Sequence, residues 1–283
     1  MNDRMDKISV LMAVCPSENP EYLDRAIQSI WSDQIVRPSQ IILIKDGKLE
    51  DKLEKVIAKW ISIITIPFLV IRNERNIGLT KSLNIGLKYA TGNFIARMDS
   101  DDISLPHRFE HQVEFLESHP EVDIIGGQLQ EFNSTNENLG IRKYPLDNDA
   151  VLKYIHKACP LAHPTVMMRR KIFDNGIRYD ERYRTCQDIA LWFDVLIAGY
   201  KIANLDEVTI KFRRDSDLYK RRNRKKGRNE LKIYSSGIRR LYGLWTFKYI
   251  YPFARYLFRM MPVKVIKAVY SSRFRTKLLQ SKK

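Results

Sequence analysis

The sequence predicts an α/β protein built on a doubly wound sheet, and three observations carry that prediction. Short apolar runs rich in β-branched residues alternate with stretches of helical periodicity, the alternation recurs four times before Ser118, and the apolar runs end in polar or acidic residues. Ile8 to Val14 (ISVLMAV) is apolar but for one serine, as a strand covered on both faces requires. Glu21 to Trp31 follows with Leu23, Ala26, Ile27 and Ile30 on one helical face. Ile41 to Ile44 forms a second strand ending at Lys45-Asp46-Gly47, and Asp51 to Trp60 a second helix. The longest apolar run, Ile61 to Ile71, is broken by Pro67 and reads as a buried strand beginning near Ile63 and ending at Arg72-Asn73. Thr80 to Ala90 is helical, Asn93 to Met98 is a fourth strand ending in Asp99-Ser100-Asp101-Asp102, and Pro106 to Ser118 is a helix with proline near its first turn. In such sheets ligands bind beyond the carboxyl ends of the strands, where these polar clusters fall.

After Ile125-Gly126-Gly127 the alternation weakens. Short strands (Thr165 to Met168, Val208 to Phe212) mix with helices (Asp149 to His156, Gln187 to Ala198), and beyond residue 214 the chain turns basic and helical. The expected organisation is one domain over 1–214, with a first half to about residue 127 and a second half from about 128, followed by a tail over 215–283.

Charge divides the chain in the same way. The formal net charge of the 283 residues is +16, yet Lys211 to Lys283 holds 23 basic side chains against three acids, leaving 26 basic and 30 acidic residues elsewhere. A near-neutral body with a basic tail points to an anionic surface or ligand as partner, or to a merely solvated tail. Three cysteines (Cys15, Cys159, Cys186) without CxxC spacing fit a reducing compartment and argue against a disulfide framework or zinc site; Cys15 is expected to be buried. The start, MNDRMDK, has no signal-peptide character, and no run of about 20 apolar residues predicts a membrane span.

Asp99 and Asp101, spaced i, i+2 at a strand end, can face one ligand, and hard carboxylate oxygens suit Mg²⁺ or Mn²⁺ completed by substrate phosphates. Alone, such a pair is common in acidic loops. Its context is more specific. Met98 to Phe109 (MDSDDISLPHRF), with Ser9 to Ser17, the Lys45-Asp46-Gly47 turn, Asn76-Ile77-Gly78-Leu79-Thr80 through Asn84-Ile85-Gly86-Leu87, Gly126, His163-Pro164-Thr165 and Gln187-Asp188-Ile189-Ala190-Leu191-Trp192, resembles family 2 glycosyltransferases of the GT-A fold. The resemblance is strongest to galactosyl- and glucosyltransferases of O-antigen and exopolysaccharide assembly, the amylovoran type among them.

That resemblance implies a Rossmann-like, doubly wound mixed sheet and an inverting hexosyl transfer from a UDP-sugar. It implies Asp101 as metal ligand, with Asp99 its partner toward ribose and diphosphate. Asp102 closes the motif or caps the next helix, and Arg97 either offsets the acidic charge or is a surface strand residue. Asp46 and Gly47 resemble the uracil-side turn; the family's usual pair of aspartates is here Lys45-Asp46, so Asp46 or backbone groups would read uracil. Asn76 and Gly78 belong to the donor-side loop, Gly78 serving a tight turn or close approach to the nucleotide, or being an ordinary loop glycine. Asp188 resembles the catalytic base that takes the acceptor hydroxyl proton, although an aspartate at a helix start is also favoured by capping and the helix dipole. Gln187 and His163 fall on the acceptor side; His163 contacts acceptor or pyrophosphate, or is a satisfied structural histidine. Arg214, after Arg213 at a strand end, is a phosphate-binding candidate. His107 and His111, at i, i+4, lack the glutamate of a metalloprotease motif and read as a surface face.

In the tail, Trp245, Tyr249, Phe253, Tyr256, Leu257 and Met260 recur at helical spacing between Lys248, Arg255 and Arg259, with Pro252 expected to kink the helix. A basic, aromatic amphipathic stretch suits an anionic bilayer, or packs on the protein's own core. The related enzymes act on saccharides linked through diphosphate to undecaprenol, so a GlcNAc- or GalNAc-diphospholipid acceptor at the cytoplasmic face of a bacterial membrane is implied, with no nucleic acid. The rivals fare worse. A nucleotidyltransferase would place a Gly/Arg/Lys-rich loop where Cys15-Pro16-Ser17-Glu18-Asn19 stands, an aspartyl phosphatase would carry its D-x-D after the first strand, and a non-catalytic membrane module leaves the acidic cluster without a role.

Overall fold

The computed structural model describes residues 8–214 and 224–260, which belong to two compact units. In the first, β1 (Ile8–Val14), α1 (Pro20–Ile30), β2 (Gln40–Asp46), α2 (Asp51–Ile63), β3 (Phe68–Asn73), α3 (Leu79–Leu87) and β4 (Phe94–Asp99) form a parallel half in the order β3-β2-β1-β4. Residues of β1, β2 and β4 are nearly all buried, which accounts for their continuous apolar runs. α1 begins where Asn19 accepts the N–H of Glu21 ahead of Pro20, and buries the predicted stripe of Leu23, Ala26, Ile27 and Ile30. α3 lies close against the sheet at Gly86, where a Cβ would come within 2.6 Å of Ile44 Cδ1 and nearer still to Leu11 Cδ1.

Beyond β4 come β5 (Ile103–Ser104), α4 (Arg108–Ser118), β6 (Ile124–Phe132), β7 (Asn138–Arg142), α5 (Asn148–Tyr154), β8 (Met167–Arg169), α6 (Lys171–Asp174), α7 (Gln187–Ile197) and β9 (Ile202–Arg213). β8 pairs antiparallel with both β4 and β6, β9 runs parallel to β6, and β5 and β7 add antiparallel edges. The sheet is therefore mixed and runs β3-β2-β1-β4-β8-β6-β9-β5.

Four sequence expectations shift. The run from Ile61 is not one buried strand: α2 continues to Ile63, Ile61 and Ile63 are exposed, and β3 starts after Pro67 as a half-buried edge. Proline lacks the N–H a ladder needs, so the strand begins beyond it. α4 starts at Arg108, after Pro106 rather than on it. β9 is much longer than the expected Val208 to Phe212 strand, and its parallel partner β6 is a nine-residue strand where none was expected, because the two pair with each other. Cys15 is half-buried, its Sγ 3.2 Å from Ser17 Oγ.

In the second unit, α8 (Arg224–Tyr242) and α9 (Ile250–Met260) form a hairpin. α8 ends at Gly243, whose left-handed φ of 86° is readily adopted without a Cβ. Glu230 on α8 pairs with Arg255 and Arg259 on α9, at 2.9 and 2.7 Å. Pro252 is the third residue of α9, in its first turn where no helical N–H bond is lost, so the expected kink is replaced by a helix start. No described helix is long and apolar enough to cross a membrane.

Candidate active site

The carboxyl ends of β1, β2 and β4 meet on one side of the sheet, and the polar turns after them build the site. After β4, one carboxylate oxygen from each of Asp99, Asp101 and Asp102 lies within 4.8 Å of the others. The buried guanidinium of Arg97 holds Asp99 at 2.5 Å while its Nε and Nη1 have no hydrogen-bond partner. Arg97 is thus a charge offset set beneath the cluster. Behind it the buried Arg108 donates to the carbonyls of Arg97 (2.8 Å) and Val166, and burial together with Arg97 pulls its pKa down to about 9.

Asp102 does not cap the next helix. It is fully buried, and its Oδ1 accepts the backbone N–H of Arg213 on β9 at 2.8 Å while Oδ2 has no hydrogen-bond partner. Burial, then Asp99 and Asp101, push its carboxyl well above the usual range. Asp101 is raised to about 7 by burial, then by Asp99 and Glu18. Glu18, in the turn after β1, accepts from Ser100 Oγ and adds a fourth carboxylate to this pocket. The negative charge exceeds what Arg97 offsets, and the donors are hard oxygens, one of them buried without a partner. The set fits Mg²⁺ or Mn²⁺.

Asp46, at the end of β2, uses both carboxylate oxygens internally. Oδ1 accepts from Ile77 N (2.8 Å) and Asn73 Nδ2 (3.1 Å), and Oδ2 accepts from Gly78 N (2.9 Å). This carboxylate shapes the Asn76–Gly78 loop. Gly47 and Gly78 both have left-handed φ, 111° and 92°, and a Cβ on Gly47 would press on Asn76 N at 3.1 Å. Lys45, where the family more often has aspartate, pairs with Glu54 on α2 at 2.5 Å.

Residues 179–186 stitch the two halves together. Asn84 exchanges hydrogen bonds with the backbone of Tyr179 (2.8 and 3.1 Å), and Thr80 Oγ1 donates to the carbonyl of Tyr183 (2.7 Å). The polar positions of α3 thereby dock the segment leading into α7 beside the Asn76–Gly78 loop. Between them opens a cavity of about 380 Å³ whose lining includes Arg75, Asn76, Gly78, Lys81, Glu181 and Arg184. α7 starts from Cys186 in a left-handed conformation (φ 62°), with Gln187 buried and Asp188 half-buried in its first turn. Asp188 Oδ2 lies 3.8 Å from Cys159 Sγ, whose thiol is pushed up by burial and by Asp188. Both Asp188 and Asp99 bear electrostatically on Tyr179, whose phenol is raised chiefly by burial.

His163 is buried, 2.8 Å from Tyr179 Oη and edge-on to Trp192 of α7. Burial and Arg97 keep its pKa well below 6.5, so it is neutral at pH 7. Its geometry is that of a satisfied histidine bracing α7. Arg214 pairs with Glu131 at 2.6 Å, away from the acidic cluster's own hydrogen bonds. Its neighbour Arg213 is the one that reaches the cluster: its guanidinium is sandwiched between Tyr22 (3.7 Å) and Phe132 (4.5 Å), and Nε donates to the Asp101 carbonyl at 3.0 Å. Glu18, Tyr179, Arg184 and Arg213 were not singled out as site residues from sequence. Glu18 could have been, since it follows the first parallel strand at the ligand-binding edge.

A parallel first half, a second half of mixed strand pairing and an acidic turn after the fourth strand together define a GT-A glycosyltransferase fold. The chain belongs to glycosyl transferase family 2, whose sequence model matches residues 9–177. It is 33% identical over 264 residues to the amylovoran biosynthesis glycosyltransferase AmsE of Erwinia amylovora, covering 93% of this chain and 97% of that one. It is 32% identical over 222 residues to the Escherichia coli UDP-Gal:alpha-D-GlcNAc-diphosphoundecaprenol beta-1,3-galactosyltransferase, covering 78% and 79%. Among solved structures, S. aureus TarS 1–349 in complex with UDP-GlcNAc superposes with a TM-score of 0.65 at 18% identity, over 89% of this chain and 72% of that one, a likeness of fold.

Proposed function

We propose that the protein is an inverting, metal-dependent hexosyltransferase. It takes galactose, or next in preference glucose, from a UDP-sugar. It adds the sugar to a GlcNAc- or GalNAc-diphosphoundecaprenol acceptor in O-antigen or exopolysaccharide repeat-unit synthesis, at the inner face of a bacterial plasma membrane. The observation that carries this reading is the under-compensated cluster of Asp99, Asp101 and Asp102 at the end of β4, beside the loop that Asp46 holds. The donor preference rests on the Escherichia coli relative, which uses UDP-Gal and a lipid-linked GlcNAc.

Each residue has a task in this scheme. Asp99 and Asp101 would hold Mn²⁺ or Mg²⁺, which neutralises charge growing on the departing diphosphate. Asp46, Gly47, Asn76 and Gly78 shape the uridine side. Asp188 takes the proton of the attacking hydroxyl, and Gln187, next to it in the first turn of α7, falls on the acceptor side. The cavity rimmed by Arg75, Lys81 and Arg184 lies between the donor-side loop and the segment that leads into α7, where an anionic part of either substrate would be favoured.

The test is UDP release by the full chain with Mn²⁺, offering UDP-Gal, UDP-Glc, UDP-GlcNAc and UDP-GalNAc with a short-chain GlcNAc-diphosphoalkyl acceptor. Acceptor-dependent release from one donor, abolished by EDTA and by Asp101→Asn and reduced by roughly two to four orders of magnitude in Asp188→Asn, is expected. A folded protein that binds no uridine nucleotide overturns the reading.

A further inference from the structure

The hairpin of the second unit carries its polarity the wrong way round for a helix pair exposed to water. Arg255 and Arg259 of α9 turn toward Glu230 of α8, while Ile250, Phe253 and Leu257, spaced i, i+3, i+7, present an apolar stripe to solvent at 63, 50 and 62% exposure. The stripe continues into the turn between the helices, where Leu244 is 60%, Phe247 89% and Trp245 98% exposed. A contiguous aromatic and aliphatic patch at the tip of a hairpin marks an interaction surface.

Charge selects the partner. Residues 224–260 carry ten Lys or Arg and one acid, Glu230, and that acid is already taken by two of the arginines. Arg239, Arg240 and Lys248 flank the apolar turn. A second copy of the same hairpin would bring like charges together around the patch, whereas an anionic bilayer offers both an apolar interior and negative headgroups. Trp and Phe at the boundary match what interfacial segments use.

We propose that the α8–α9 turn is a membrane wedge: Leu244, Trp245 and Phe247 enter the acyl-headgroup boundary of an anionic bilayer, α9 lies along it on its Ile250–Phe253–Leu257 face, and the flanking basic residues contact the headgroups. This deepens the membrane-associated reading of the proposed function by naming the element that makes the contact. It does not depend on the chemistry of the active site.

Trp245 supplies its own probe. The other three tryptophans, Trp31, Trp60 and Trp192, are buried at 5, 4 and 0% exposure, so a change in emission on adding vesicles reports Trp245. The full chain is titrated with vesicles of phosphatidylglycerol and phosphatidylethanolamine, and in parallel with pure phosphatidylcholine, with and without bromine on the acyl chains. The expected result is a blue shift and bromine quenching in anionic vesicles alone. Trp245→Phe should abolish the signal while sedimentation with vesicles persists, and Trp245→Ser/Phe247→Ser should weaken sedimentation roughly tenfold or more. Sedimentation without quenching, equal binding by the double serine variant, or shielding of Trp245 that rises with protein concentration in the absence of lipid would each overturn the wedge. Transfer to the short-chain acceptor is measured in the same variants. Lost vesicle binding with intact transfer separates the surface from the chemistry, and quenching without any transfer removes the proposed function while leaving the wedge standing.

Discussion

Asp46→Asn distinguishes two jobs for one carboxylate. In the structure, Oδ1 receives Ile77 N and Asn73 Nδ2, and Oδ2 receives Gly78 N. An asparagine oxygen can keep the first two partners, but its amide then faces the Gly78 N–H, donor against donor, about where an acceptor stood at 2.9 Å. One charge-assisted hydrogen bond is lost and a part-buried N–H is left unmet, a cost of roughly 1.5–3 kcal/mol. For a domain of this size that corresponds to a fall in Tm of roughly 4–10 °C. Because the Asn76–Gly78 loop is held by these bonds, UDP affinity should fall together with Tm. Thermal unfolding and calorimetric titration with UDP and Mn²⁺ measure the two. An unchanged Tm with UDP binding weakened tenfold would refute the reasoning, since it would mean that the carboxylate serves the base and not the loop. Asp46→Ala, which removes all three acceptor contacts, should unfold at a still lower temperature.

Three further substitutions test the surrounding structure. Gly86→Ala drives a methyl into Leu11 and Ile44 and should cost roughly 1–3 kcal/mol in denaturant unfolding, because both neighbours are fully buried and hemmed in; a neutral result would mean α3 is free to shift off the sheet. Arg213→Lys keeps the charge but loses the planar contact with Tyr22 and Phe132 and the bond to the Asp101 carbonyl. The metal concentration for half-maximal UDP release should rise several-fold with little change in Tm, and an unchanged metal titration would show that the acidic turn holds its shape without it. His163 titrates below 6.5 in the fold but near 6.5 unfolded. The unfolded state therefore binds the extra proton, and the destabilisation from this group is absent above about pH 6.5 and grows as pH falls below it. His163→Gln should lose more stability relative to the parent at pH 7.5 than at pH 5.5; a gap independent of pH would mean that the ring is not held neutral.

The parallel half was legible in the sequence because each element there is decided locally. The β1, β2 and β4 runs are buried on both faces, so no alternation obscures them, and the stripe of α1 repeats at the helical period. The errors fall where neighbours decide. Ile61, Ile63 and Ile64 are β-branched and look like a strand, yet the helix that starts at Asp51 carries through to Ile63, with Ile64 as its C-cap and Pro67 next to the start of β3. β6 and β9 look fragmentary, since polar residues such as Gln128, Asn204 and Thr209 interrupt them. Gln128 and Asn204 are buried and polar for a reason confined to the folded state: Gln128 binds the Leu205 carbonyl, and Asn204 binds those of Pro145 and Pro160.

The site follows the same division. Which carboxylates gather after β4 could be read from spacing, but what balances them could not. In their ionised forms Asp99, Asp101 and Asp102 carry three negative charges into a space that excludes most water, and the buried Arg97 returns one. The remainder matches a single divalent cation, and a fourth carboxylate, Glu18, sits close enough to keep the balance from tipping the other way. A second buried cation placed among the carboxylates would cancel the attraction for metal; Arg108 avoids this by spending its guanidinium on main-chain carbonyls and Gln112 one layer further in. The same logic explains why Arg213 approaches the turn through a carbonyl oxygen and two aromatic faces and not through a carboxylate. Each arginine near the cluster stiffens it, and only one lowers its charge.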